Sequence, residues 1–133
     1  MRGKPFYNRN TREGRKNEMS ARPILWIVIP CYNEEQVLPL TAPMFLKKLE
    51  QLTAAEKVSP SSRILFVNDG SKDKTLDRIK KMAEKDERVR YISFSRNFGK
   101  EAAMYAGMQK SKGDYVAILD ADKEGFLRSE PAL

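Results

Sequence analysis

Any acid–base or metal chemistry in this chain has to come from carboxylates. There is no histidine among its 133 residues, which removes an imidazole base, a Ser-His-Asp triad, a His-ligated zinc and an HExxH protease site. The single cysteine, Cys31, makes neither an internal disulfide nor a CxxC site and fits a reducing, cytoplasmic setting. The most suggestive acidic residues are Asp120 and Asp122, which flank Ala121 directly after an apolar run. Two carboxylates at a strand end can offer oxygen to a divalent cation that fills its other positions with water and phosphate, as Mg²⁺ prefers. A DxD is common in acidic loops, so its position after a wholly apolar strand is what gives it weight. Asp69, in Asn68-Asp69-Gly70-Ser71, has two uses open to it: capping the helix that follows, or hydrogen-bonding a base or ribose edge.

The elements that must position these residues follow from four short apolar runs, each leading into a polar cluster. Residues 24–29 lead to Cys31-Tyr32-Asn33-Glu34-Glu35, and 64–67 lead to Asn68-Asp69-Gly70-Ser71. Residues 89–94 lead to Ser95-Arg96-Asn97-Phe98-Gly99-Lys100, and 115–119 lead to Asp120-Ala121-Asp122. Continuous rather than alternating apolarity is what parallel strands covered on both faces require. The segments between them have helical character, and the alternation is βαβ.

Pro39 and Pro43 interrupt the first connection, which predicts a short turn and then a helix from about Ala42 carrying Met44, Phe45, Leu49 and Leu52. In the second connection, Ser71 or Asp73 can cap a helix with Leu76, Ile79, Met82 and Ala83 on one face. The third reads as a helix over 99–112 with Ala102, Ala103, Ala106 and Gly107 as a small-residue stripe and Gly113 as its C′ residue. The expected architecture is α/β, a mainly parallel sheet of about four strands with helices on both faces. In such a sheet, ligands bind beyond the carboxyl ends of the strands, so the four clusters would converge on one crevice. No GxGxxG or GxxxxGK[ST] follows the first strand, which argues against a dinucleotide-binding Rossmann protein and a P-loop ATPase.

Taken in order, Ile29-Pro30-Cys31-Tyr32-Asn33-Glu34-Glu35, Val67 to Asp73, Ser95 to Ala103 and Gly113 to Asp122 resemble the family 2 glycosyltransferases of GT-A fold. The nearest branch is that of the dolichol-phosphate mannose synthases and bactoprenol glucosyltransferases, and the likeness covers residues 24–122. The resemblance implies the nucleotide-sugar half of a Rossmann-like GT-A domain, with four parallel strands ordered 3-2-1-4. Pro30, Tyr32, Glu34 and Asp69 would line the nucleotide pocket, with Asp69 near the base. Arg96 and Lys100 would lie by the sugar-phosphate side. Asp120 and Asp122 would form the DxD that holds Mg²⁺ or Mn²⁺, with Asp122 the more direct ligand. It further implies a UDP- or GDP-hexose donor and a polyprenyl phosphate acceptor. The stretch from Lys123 to Leu133 departs from the family pattern, which predicts that the acceptor half and its catalytic carboxylate are missing, and that the chain is inactive alone, marginally stable or self-associating.

The domain plan is thus a basic arm over 1–22, the nucleotide-sugar-binding half over 23–122 and an irregular tail over 123–133. Residues 1–22 hold seven basic and two acidic residues, whereas the remainder holds eighteen and sixteen. That arm lacks hydrophobic periodicity and is expected to be disordered, with an attraction to anionic lipid at the inner face of the membrane. Its few aromatics disfavour nucleic acid. No apolar run approaches the roughly 20 residues of a spanning helix, and no secretory signal opens the chain. Two other readings are a non-catalytic nucleotide- or partner-binding remnant, and a receiver-like domain, which the Cys31-Tyr32-Asn33 cluster disfavours because an acidic pair would stand there.

Overall fold

The computed structural model of the protein describes residues 22–121. The arm before Arg22, Asp122 and the tail after it lie outside the described residues. Strands β1 (Leu25–Cys31), β2 (Arg63–Asn68), β3 (Val89–Ser93) and β4 (Tyr115–Ile118) alternate with helices α1 (Leu38–Ala54), α2 (Thr75–Lys85) and α3 (Lys100–Lys110). All pairings are parallel, as the apolar runs predict, and the sheet order is β3-β2-β1-β4, as the resemblance implied. Val28 stands at the centre, paired with Leu65 on one side and Ile118 on the other. Pro30 has no N–H to donate, yet it is tolerated in a central strand because it lies past the last β4 pairing.

The edge strands β3 and β4 are largely exposed, with Tyr91, Tyr115 and Val116 open to solvent, whereas both faces are covered over the central strands β1 and β2. On one, Ile27, Ile29, Ile64, Phe66 and Val89 pack with Leu38, Phe45 and Leu49 of α1 and Ile79 of α2. On the other, Trp26, Val28, Leu65 and Val67 meet α3 through Ala103. Close approach of α3 explains its small residues: a Cβ on Gly107 would sit 2.3 Å from Val28 Cγ1. Of the expected stripe, Ala103 and Gly107 are buried, while Ala102 is exposed.

Two expectations about helix ends are corrected. Helix α1 begins at Leu38, not near Ala42, with Pro39 in its first turn and Pro43 inside it. Pro39 costs nothing there, since the first N–H groups of a helix have no internal partner. Pro43 removes one hydrogen bond, but the turn containing it buries Leu38, Thr41, Ala42, Phe45 and Leu49 at helical spacing, and that burial outweighs the loss. Helix α3 ends at Lys110 with an extended Ser111, so Gly113 is not its C′ residue. Gly113 is small for a different reason: a Cβ there would lie 2.7 Å from Ile24 O and 2.8 Å from Trp26 Cδ1.

For α2, Asp73 rather than Ser71 serves the N-terminus: its Oδ1 accepts from Thr75 N at 2.9 Å. At the other end, Asp86 accepts from Arg88 through Nε and Nη2, at 3.0 and 2.7 Å. These charged hydrogen bonds hold the Asp86 carboxyl below the usual carboxylate range, against a smaller upward push from burial.

Candidate functional site

The four polar clusters do meet. A cavity of about 390 Å³ opens at the carboxyl ends of the strands, and Pro30, Tyr32, Glu34, Asp69, Lys100 and Asp120 line it. They stand at or just beyond the strand ends, Pro30 still paired with Val67 and Lys100 opening the helix after β3, where the sequence changes from apolar to polar.

The loop after β1 is fastened to the loop after β2. Asn33, in the left-handed region at φ 55°, donates its N–H to Ser71 Oγ at 2.9 Å and accepts from Lys72 N through its side-chain oxygen at 2.9 Å. Glu34 N donates to Thr75 Oγ1 at 2.8 Å, and Glu35 N donates to Asp73 Oδ2 at 3.2 Å. Burial pushes the Asp73 carboxyl up, but the hydrogen bonds from Thr75 and Glu35 together outweigh it and leave it below its ordinary value. The Glu34 carbonyl accepts from Val37 N and Leu38 N, starting α1 from the pocket wall.

The loop after β2 is fastened in turn to the loop after β3. Asp69 is 3% exposed, so its carboxylate must be satisfied from within the protein. Its Oδ1 accepts from Phe98 N at 2.8 Å, while Oδ2 accepts from Gly99 N at 3.1 Å and Asn97 Nδ2 at 3.0 Å. Asp69 therefore caps the N-terminal end of α3 from another strand, a favourable place for negative charge, and Gly99 supplies no cap of its own. Asp69 does not cap the helix that follows it, α2, one of the two uses left open by the sequence; it caps α3 instead and lines the cavity. Gly70 makes the approach possible. Its φ is +67°, and a Cβ there would fall 2.1 Å from the carbonyl carbon of Arg96.

The fourth cluster is held differently. Asp120 Oδ1 accepts from Lys100 Nζ at 2.7 Å, with the two side chains 53% and 60% exposed. Arg96 does not line the cavity. Its guanidinium lies 4.0 Å above the Phe98 ring, and Phe98 meets Phe94 edge-on at 5.5 Å. Asp122 is outside the described residues.

Cys31, Asn97, Gly99 and Ala121 also line the cavity, although the sequence reading singled out none of them as site residues. All four lie inside the polar clusters, so position after a strand was the available signal. Cys31 is 2% exposed; burial pushes its thiol far above the ordinary value, and the nearby Glu34 charge adds to the shift.

Among the described residues, no three His, Cys, Asp or Glu side chains converge as a metal cage. One accessible carboxylate at the cavity edge, Asp120, suits a hard cation that keeps water and phosphate ligands, which is the donor set Mg²⁺ and Mn²⁺ accept.

The family model for glycosyl transferase family 2 matches residues 26–124. The chain is 42% identical over 99 residues to CsbB of Bacillus subtilis (strain 168), covering 74% of this chain and 28% of that protein. It is 38% identical over 108 residues to the bactoprenol glucosyl transferase of Shigella phage SfX, covering 80% and 33%. The chain thus spans about a third of the length of these relatives. Among solved structures, the mannosyltransferase PcManGT from Pyrobaculum calidifontis, in complex with GDP-Man and Mn²⁺, superposes with a TM-score of 0.57 at 24% identity, covering 78% of this chain and 29% of that one. S. aureus TarS in complex with UDP gives 0.61 at 19%, covering 82% and 31%. The sheet and its helices are accordingly part of a GT-A fold, and the chain belongs to glycosyl transferase family 2.

Proposed function

We propose that the cavity binds a nucleotide-diphospho-sugar, a UDP- or GDP-hexose, and that the whole protein transfers the hexose to polyprenyl phosphate. The observation that carries this reading is the convergence of four post-strand clusters on one cavity, graded from a buried carboxylate, Asp69, to an exposed cation–carboxylate pair, Lys100 and Asp120. A buried, fixed acceptor suits the nucleoside, and exposed charges suit its diphosphate. The names of the relatives and neighbours support it, since they mention bactoprenol, GDP-Man with Mn²⁺, and UDP.

In this reading Pro30, Tyr32 and Glu34 form one wall of the nucleoside pocket and Asp69 accepts from the base. Lys100 provides positive charge on the diphosphate side, while Arg96, turned onto Phe98, lies outside the cavity. Asp120, together with Asp122, would hold Mg²⁺ or Mn²⁺, which when bound neutralises charge on the departing nucleoside diphosphate. The basic stretch 1–22 would touch anionic lipid. No helix among the described residues is long and apolar enough to cross a membrane.

Titration calorimetry with UDP and GDP, each with and without Mn²⁺, tests the donor site. Metal-dependent binding of either nucleotide is expected, and Asp122→Ala should remove the metal dependence. A chain that is folded by circular dichroism and binds neither nucleotide would overturn the reading.

A further inference from the structure

We propose that Asn97 is a positioning residue for nucleobase recognition, acting through Asp69. The inference rests on the nucleotide reading above and adds a residue and a count to it. An ionised carboxylate has about four acceptor positions. In Asp69 three are taken, all by the loop 97–99: Oδ2 is filled by Asn97 Nδ2 and Gly99 N, while Oδ1 holds only Phe98 N. One acceptor position remains, on Oδ1, in a side chain that lines the cavity and is 3% exposed. A carboxylate so confined can take one further donor from one direction.

Asn97 fixes that direction. Its Nδ2 donates to Asp69 Oδ2 at 3.0 Å and to the Asp69 backbone oxygen at 3.1 Å, so one amide grips both ends of the same residue. The amide orientation follows from this chemistry, since the reverse would set its oxygen against two acceptors. Phe98 N and Gly99 N are backbone donors and stay wherever the loop stays. The Asn97 amide is the one side-chain group in the set, and it fills the second acceptor position of Oδ2. Loss of the amide leaves Oδ2 with Gly99 N alone and opens that position, so the carboxylate no longer presents a single acceptor in a single direction. The expected ligand group is a single N–H of the base.

The test compares the tighter of UDP and GDP with ribose 5-diphosphate, which lacks the base, by titration calorimetry in Mn²⁺. The ratio of the two affinities is the base-recognition factor. Asn97→Ala should lower that factor about tenfold, the equivalent of one hydrogen bond, while leaving ribose 5-diphosphate within about twofold. Asn97→Gln, which keeps the amide on a longer stem, should recover part of the loss and serves if the alanine variant does not fold. In an Asp69→Asn background, Asn97→Ala should change the factor no further, because its effect passes through the carboxylate. Equal weakening of both ligands, an unchanged factor, or additive effects in the double variant would each overturn the proposal while leaving the nucleotide site intact. Failure of the unmodified chain to bind either nucleotide would instead overturn the site reading, and this proposal with it.

Discussion

The loops after β1, β2 and β3 and the turn after β4 meet at one cavity, but their polar side chains are held in unlike ways. Asn33, Asp69, Asp73 and Asn97 sit in hydrogen bonds to backbone groups of the site loops, between 2.8 and 3.2 Å, and Asp69 is almost wholly buried. Asp120 is held by a lysine ammonium at the surface. Backbone donors in a packed loop have nowhere else to go, so the first set is fixed. An exposed ion pair contributes little and exchanges partners readily. The difference matches the two halves of a nucleoside diphosphate: a flat base needs a pre-set acceptor, whereas a charged tail with its counter-ion needs groups that can change partner as charge arrives.

The largest expected effect strikes the fixed side. Gly70→Ala would drive a methyl group into the Arg96 backbone at a positive φ, and unfolding in urea should show a loss of about 3 kcal/mol. A loss below 0.5 kcal/mol would mean that the two loops are free to part. Asp69→Asn replaces a charge that receives three donors, and should cost about 2 kcal/mol in the same measurement.

Acid sharpens the contrast further. Asp73 and Asp86 hold their protons less tightly folded than unfolded, so their stabilisation is complete above the unfolded carboxylate range and disappears as pH falls from about 5 through 4 and below. Thermal melts between pH 7 and pH 3 should show the midpoint falling only at the acid end. A fall already present between pH 7 and pH 6 would assign the control to other groups. The smallest stability effect belongs to the adjustable side: Lys100→Ala should alter stability by less than about 0.5 kcal/mol, yet weaken metal-dependent nucleotide binding about tenfold. A loss of stability comparable to that of Asp69→Asn would place Lys100 among the fixed groups.

Strand existence was legible because its signal, a continuous apolar run, is local, whereas the 3-2-1-4 order came with the resemblance to the GT-A fold, since no local pattern records which strands pair. The start of α1 was not legible, because Pro39 and Pro43 read locally as breakers and only the burial of Leu38 and Ala42 against the sheet reveals why the helix begins before them. Gly113 looked like a helix terminator, when its neighbours across the chain, Ile24 and Trp26, are what exclude a side chain. In the site, strand ends announced Tyr32 and Asp120 as cavity residues, while Pro30 came from the family resemblance. Asn97 went unnoticed because its partner lies 28 positions away, and no spacing rule records which amide will reach which carboxylate. Arg96 illustrates the converse: its charge suggested a phosphate contact, while its flat guanidinium lies over Phe98.

Cys31, shut in at the end of β1 with a thiol that burial keeps protonated, gives the protein a natural chemical clock. A thiol-directed reagent can reach that sulfur only when the end of β1 opens, so the rate of labelling counts openings of the cavity wall without any introduced probe. Because the same residue faces the cavity, an occupant would slow the clock, and the degree of slowing would report how firmly each candidate nucleotide keeps that wall closed.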